Sequence, residues 1–262
     1  MENWAGALHL ASRALEAAPL LPFALLWARR YNIPFKFKLL PYYIGAELVL
    51  YVLKIVSRFI FRNDVYTFHL STALAVLLLA ETYRRLFHSH RILNLISVSV
   101  WIFIGVAFLD AAVLNGIFKD LNSYARAFGS IILITLSLLH IVQISRTSLS
   151  LEEQPEFFLD IAVLTYFSYS IVTYVATNII YNSGYDLATR IKLDRIISSP
   201  DIFLFAIQMG LFAWLFNFIP LHIAPLRALP YWLHYSRWHP RPYRLLGQSV
   251  VFQNHLTTTA GN

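Results

Sequence analysis

The sequence predicts an all-α integral membrane protein: a bundle of seven transmembrane helices with the N-terminus outside and the C-terminus inside. Three observations carry this expectation. Of the 262 residues, 58% are hydrophobic and only 13% are charged, about half the charged share of roughly 25% found in soluble proteins. Mean hydropathy is +0.57. The apolar residues also fall in stretches of the length, about 20 residues, that crosses a hydrocarbon core of about 30 Å, and polar residues interrupt those stretches at only a few depths.

The first stretch, residues 3–28, is broken by Arg13 and Glu16 and carries Pro19 and Pro22. Proline removes a backbone donor and kinks a helix, so a bent first span is expected here. If this segment is only interfacial, six spans remain and the N-terminus moves inside. Met1 and Glu2 do not make the positive leader region of a cleaved signal. Six further segments follow at 41–61, 65–87, 93–118, 124–144, 159–181 and 201–221. Between the last two, residues 182–200 alternate apolar and charged side chains and read as an interfacial helix or a lid. Ser150 and Glu153 match a capping box that would start the span at 159–181. Residues 1–223 are expected to form the bundle. Residues 224–262, with Trp232, Arg237 and Trp238, read as a basic, aromatic cytoplasmic tail that lies on the membrane surface or docks a partner.

With the C-terminus inside, the inner segments hold twelve Lys and Arg residues and the outer ones eight. That positive-inside bias sets the orientation and points to a multi-pass plasma-membrane protein. The formal charge of +7 is spread over the loops, which suits anionic lipid head groups and leaves no nucleic-acid footprint. The chain has no cysteine, which excludes disulfides, thiolate metal sites and cysteine nucleophiles. His88 and His90 flank the inner surface without nearby carboxylates, so no metal is expected. His69 and His140 lie at opposite depths and do not suit one haem. The last span has no lysine for a retinal Schiff base, and no cofactor is expected. No serine-hydrolase elbow, zinc-protease motif or phosphate-binding glycine loop occurs.

Function is expected where the buried polar residues converge. Glu47, Tyr51, Lys54 and Arg58 recur on one helical face, which should look inward. Tyr166, Ser170, Thr173 and Thr177 make a second stripe. An outer-depth cluster of Lys54, His69, Asp110, Tyr174, Asn178 and Gln208 is expected to bind a small ligand, with Lys54 and Asp110 neutralising each other. An inner polar layer of Glu47, His140 and Asn217 would extend this into a path. The expected function is therefore a receptor-like or sensory module that binds a small molecule from outside and, having no kinase, cyclase or DNA-binding domain of its own, signals through a cytoplasmic partner protein. The alternative is a small-solute or proton-coupled transporter that uses both polar layers. A membrane-embedded enzyme comes third.

Overall fold

The computed structural model describes residues 14–30, 32–118, 122–146 and 154–219, apart from the side chains of 187, 191 and 195. The tail from 224 and the Ser150–Glu153 capping box lie outside the described residues, as do the first residues of the expected first span. Among the described residues the secondary structure is entirely helical.

Helix α1 spans Leu20–Arg29. At ten residues it is about 15 Å long, half of what a bilayer core requires. The turn before it runs over Ala17 to Pro19, where the amides of Ala17, Ala18 and Leu20 bond three residues back instead of four. The prolines are the physical reason, since Pro19 and Pro22 cannot donate. After a short 3-10 turn at Phe35–Phe37, α2 runs Leu40–Ile60, α3 Val65–Leu86, α4 His90–Leu109, α5 Ser123–Ile144, α6 Pro155–Asn182 and α7 Leu187–Asn217. These six are long and apolar enough to cross a membrane, so the chain has the helices of a multi-pass membrane protein. The expected separate helix or lid at 182–200 does not form. Asn182 ends α6, and from Leu187 the segment is the first half of α7, a continuous helix of 31 residues with Pro200 inside it. Tyr169 of α6 donates to the Ile197 carbonyl at 3.2 Å, which occupies an acceptor in the turn that the proline weakens.

Packing follows from the apolar faces. α6 lies against α5 and α7, α3 against α2 and α5, and α1 against both α2 and α7. Six helices thus form a ring, and the short α1 fills the gap between α2 and α7. α4 stays on the outside, packed on α3 and α5. Its Val98, Trp101, Phe108 and Val113 are exposed, as suits a lipid-facing helix and as a soluble surface of this extent would not tolerate. The interior of the ring toward the C-terminal end of α7 is filled by Leu40, Ile44, Leu79, Tyr83, Leu133, Phe167, Phe212 and Phe216, all fully buried. The opposite end of the ring, where the α2–α3, α4–α5 and α6–α7 connections lie, is not filled in this way.

Two local features seat α5 at that end. α4 finishes in a π-turn over Asp110–Leu114, closed by the Asn115 amide on the Asp110 carbonyl at 2.9 Å. Gly116, at φ 72°, then turns the chain away through the left-handed region that glycine enters without strain. The π-turn brings the Asp110 carboxylate over the start of α5, where it accepts the Ala125 amide at 2.8 Å and the Asn115 side-chain amide at 2.5 Å. A carboxylate on an unpaired first-turn amide also complements the helix dipole. One turn further, Gly129 lets α5 approach α3 and α4 closely: a Cβ there would come within 2.5 Å of Val76 Cγ2 and 3.0 Å of Phe103 Cε2.

Candidate functional site

A cavity of about 380 Å³ opens at the unfilled end of the ring, lined by residues of α2, α3, α5, α6 and α7 and by Glu16 and Pro19 ahead of α1. That volume is in the range of small-molecule sites. The face of α2 that carries Glu47, Tyr51, Lys54 and Arg58 does look inward, since all four line the cavity. From α6 come Tyr166, Thr173, Tyr174 and Thr177, from α7 Asp194, Ser198 and Asp201, and from α3 Thr67, Phe68 and Ser71.

α5 contributes Arg126, one turn into the helix and 3% exposed. Its guanidinium carbon lies 5.1, 5.0 and 5.3 Å from the ring centroids of Tyr166, Phe167 and Tyr174. Its Nε donates to Ser170 Oγ at 2.8 Å. Three aromatic rings around a guanidinium hold it by cation–π attraction and fix its plane. Its two terminal nitrogens make no hydrogen bond to a described residue, and no described carboxylate lies within 4.0 Å of it.

The other charges divide into paired and unpaired groups. Lys54 Nζ sits 3.3 Å from Glu16 Oε1 and 5.3 Å from the Phe68 ring. Arg58 meets Asp64 at 2.7 Å on the rim. Glu47 accepts from Ser71 at 3.0 Å and Asp194 from Thr177 at 3.3 Å, but neither has a cation within 4.0 Å among the described residues. Asp201 Oδ1 and Thr173 Oγ1 are buried with no hydrogen-bond partner among the described residues. Outside the spans, exposed Asp186 caps α7 by accepting the Thr189 amide at 3.2 Å. Hydrogen bonds from Thr189 hold its carboxyl below the usual carboxylate range. The cap is therefore in place above the ordinary carboxylate pKa and is lost as pH falls through the lowered one.

The expected cluster is only partly assembled. Lys54 and Tyr174 line the cavity, whereas His69, Asp110, Asn178 and Gln208 do not. Lys54 and Asp110 are not partners: the π-turn commits Asp110 to the α5 N-terminus, and Lys54 turns to Glu16 instead. His69 is buried on α3. Asn178 accepts from Asn182 within its own helix. Gln208 is fully buried, 3.5 Å from the Tyr43 hydroxyl.

The inner layer does not assemble as a path either. Glu47 belongs to the cavity. Asn217 is exposed and accepts from Arg29 at 2.7 Å, tying α7 to α1. His140 Nδ1 lies 2.7 Å from Asp160 Oδ2. The Tyr83 hydroxyl donates to Asp160 Oδ1 at 2.9 Å and meets Ser137 at 2.6 Å. This closed network joins α3, α5 and α6, and every member is satisfied.

Sequence reasoning missed Arg126, Asp194 and Asp201. Arg126 is one of the eight charges assigned to the outer segments, although it falls within 124–144 and the next charged residue after it is Arg146, which marks it as lying inside the span. No group of three or more metal-ligating side chains occurs among the described residues. No family model, curated protein or solved structure matches the chain.

Proposed function

We propose that this protein is a receptor-like membrane module that binds a small polar ligand in the Arg126 cavity from the outer side and reports to a cytoplasmic partner protein. The observation that carries the reading is Arg126 itself. A guanidinium that is 3% exposed, caged by three rings, lining a cavity and bonded through Nε alone among the described residues is costly to bury. A ligand acceptor at that place completes its hydrogen bonding. The Tyr83–Ser137–His140–Asp160 network and the apolar core beneath the cavity support access from one end only, which favours binding over transport. In the proposed orientation the cavity faces outward and the α7 C-terminus faces the cytoplasm, so displacement of α6 or α7 by a ligand reaches the side where a partner would dock.

The test uses the absence of cysteine. Thr173→Cys and Ser198→Cys should react with a membrane-impermeant maleimide added from outside, and His140→Cys should not react from either side. Labelling of His140→Cys from the cytoplasmic side, together with labelling of the cavity positions from both sides, would replace the receptor reading with a transporter. Silence at all three positions would remove the ligand site.

A further inference from the structure

The charges in the cavity restrict what it can hold. Once Lys54 is paired with Glu16 and Arg58 with Asp64, one cation, Arg126, remains without a carboxylate among the described residues. Three carboxylates, Glu47, Asp194 and Asp201, remain without a cation within 4.0 Å among the described residues. All four line one cavity of about 380 Å³, yet no described carboxylate lies within 4.0 Å of the guanidinium. A direct bridge from Arg126 to one of these acids would be the simplest closure of a low-dielectric site. The fold prevents it by holding Arg126 in its aromatic cage on Ser170, and it leaves Asp201 Oδ1 buried and unpartnered.

We infer that the ligand is a small zwitterion of the amino-acid kind, whose carboxylate is held by Arg126 and whose ammonium is held by Asp201 and Glu47. The inference rests on the receptor reading and specifies its ligand. The free edge of a guanidinium matches a carboxylate with two parallel hydrogen bonds. An ammonium offers three donors, which the Asp201 and Glu47 carboxylates and the unpartnered Thr173 hydroxyl can accept. Each half of the site rejects the wrong charge. A phosphate or dicarboxylate meets the three acids, and a plain amine meets Arg126.

The experiment measures thermal unfolding of the full-length protein in nanodiscs with L-alanine, L-leucine, L-phenylalanine, L-glutamate and L-lysine. For the amino acid that stabilises most, the carboxylate lacking its amine and the amine lacking its carboxylate are then titrated. The expected result is stabilisation by at least one amino acid, with each single-charge analogue roughly 30-fold weaker or worse, as for truncation of one partner of a buried charge pair. Arg126→Gln should abolish the shift. Asp201→Asn should bring the amino acid and its amine-free analogue close to equal affinity. Should Arg126→Gln fail to fold, Arg126→Lys keeps the charge but loses the fork, and the amino acid should then bind at least tenfold more weakly. Equal affinity of the amine-free carboxylate in the unaltered protein overturns the inference in favour of an anion site, and equal affinity of the amine overturns it in favour of a cation site. No stabilisation by any amino acid, with Thr173→Cys still labelled from outside, overturns the ligand class and leaves the receptor reading standing. If Thr173→Cys and Ser198→Cys are also unreactive, both fall.

Discussion

Gly129→Ala tests how α5, and with it Arg126, is held against the rest of the ring. The added Cβ meets Val76 Cγ2 at 2.5 Å and Phe103 Cε2 at 3.0 Å, where carbon atoms prefer about 3.5–4.0 Å. One ångström or more must be found by moving the α5 backbone or by driving β-branched Val76 off its rotamer, and overpacking of this kind costs about 1–3 kcal/mol. The same substitution gains about 1 kcal/mol of helix propensity. Gly105 and Gly210 lie inside α4 and α7 with nothing within 4 Å of their virtual Cβ atoms, so alanine there keeps the gain without the clash. Gly129→Ala should therefore be less stable than Gly105→Ala or Gly210→Ala by about 1–3 kcal/mol, measured by reversible denaturation in mixed micelles. Arg126 lies one turn from Gly129, so reactivity of Ser198→Cys at the cavity should also change in this background. Equal stability of the three alanine variants would show that α5 does not approach α3 as closely as described.

Further expectations follow from the pairings. Lys54→Met and Asp110→Asn should be additive in stability to within about 0.5 kcal/mol, because they share no partner. A larger coupling energy in the double-mutant cycle would restore the direct pair. Asp110→Ala alone should cost roughly 1–3 kcal/mol by orphaning the buried Ala125 amide, and hydrogen exchange should localise the loss to the first turn of α5. His140→Ala leaves the Asp160 carboxyl with Tyr83 as its one remaining described partner and should cost at least roughly 1–3 kcal/mol. Combining it with Asp160→Ala should cost much less than the sum, and strict additivity would show that the network is not a unit. Asp186→Ala should speed amide exchange at Thr189, whereas Asp186→Asn, which keeps an acceptor, should restore protection. Exchange unaltered in both would rule out the cap.

Much of the architecture was legible because it depends on local composition. Twenty apolar residues in a row make a spanning helix whatever their neighbours are, so α2 to α7 were each expected within a few residues at one end or both. Pro19 and Pro22 announced the break before α1 in the same way, since the missing donors are local. Period also carried part of the site: spacings of three and four residues put Glu47, Tyr51, Lys54 and Arg58 on one face, and Tyr166, Ser170, Thr173 and Thr177 on another. The first face lines the cavity, and the second meets Arg126 through Ser170 and the ring of Tyr166.

Depth alone does not decide partners. Lys54 and Asp110 sit at similar depth, but pairing depends on which helices are adjacent and which way each end turns, and a single π-turn sends Asp110 to the Ala125 amide. His69 and Gln208 stand away from the cavity for the same reason, and Gln208 meets Tyr43 near the start of α2. A lone arginine one turn inside the 124–144 segment has no period to mark it, and hydropathy stops a span at Asp201 when the helix in fact begins at Leu187.

The sequence by itself determined that this chain is a set of apolar helices with polar faces, because helix length, proline breaks and periodicity are properties of consecutive residues. Only the tertiary structure decided that α1 closes a ring between α2 and α7, that α4 is left outside it, and that Arg126 stands caged by three rings in a cavity that Glu47, Asp194 and Asp201 also line. Those outcomes depend on distances between residues far apart in the chain, and on small features such as the absent side chain of Gly129. Their energies arise only when helices meet.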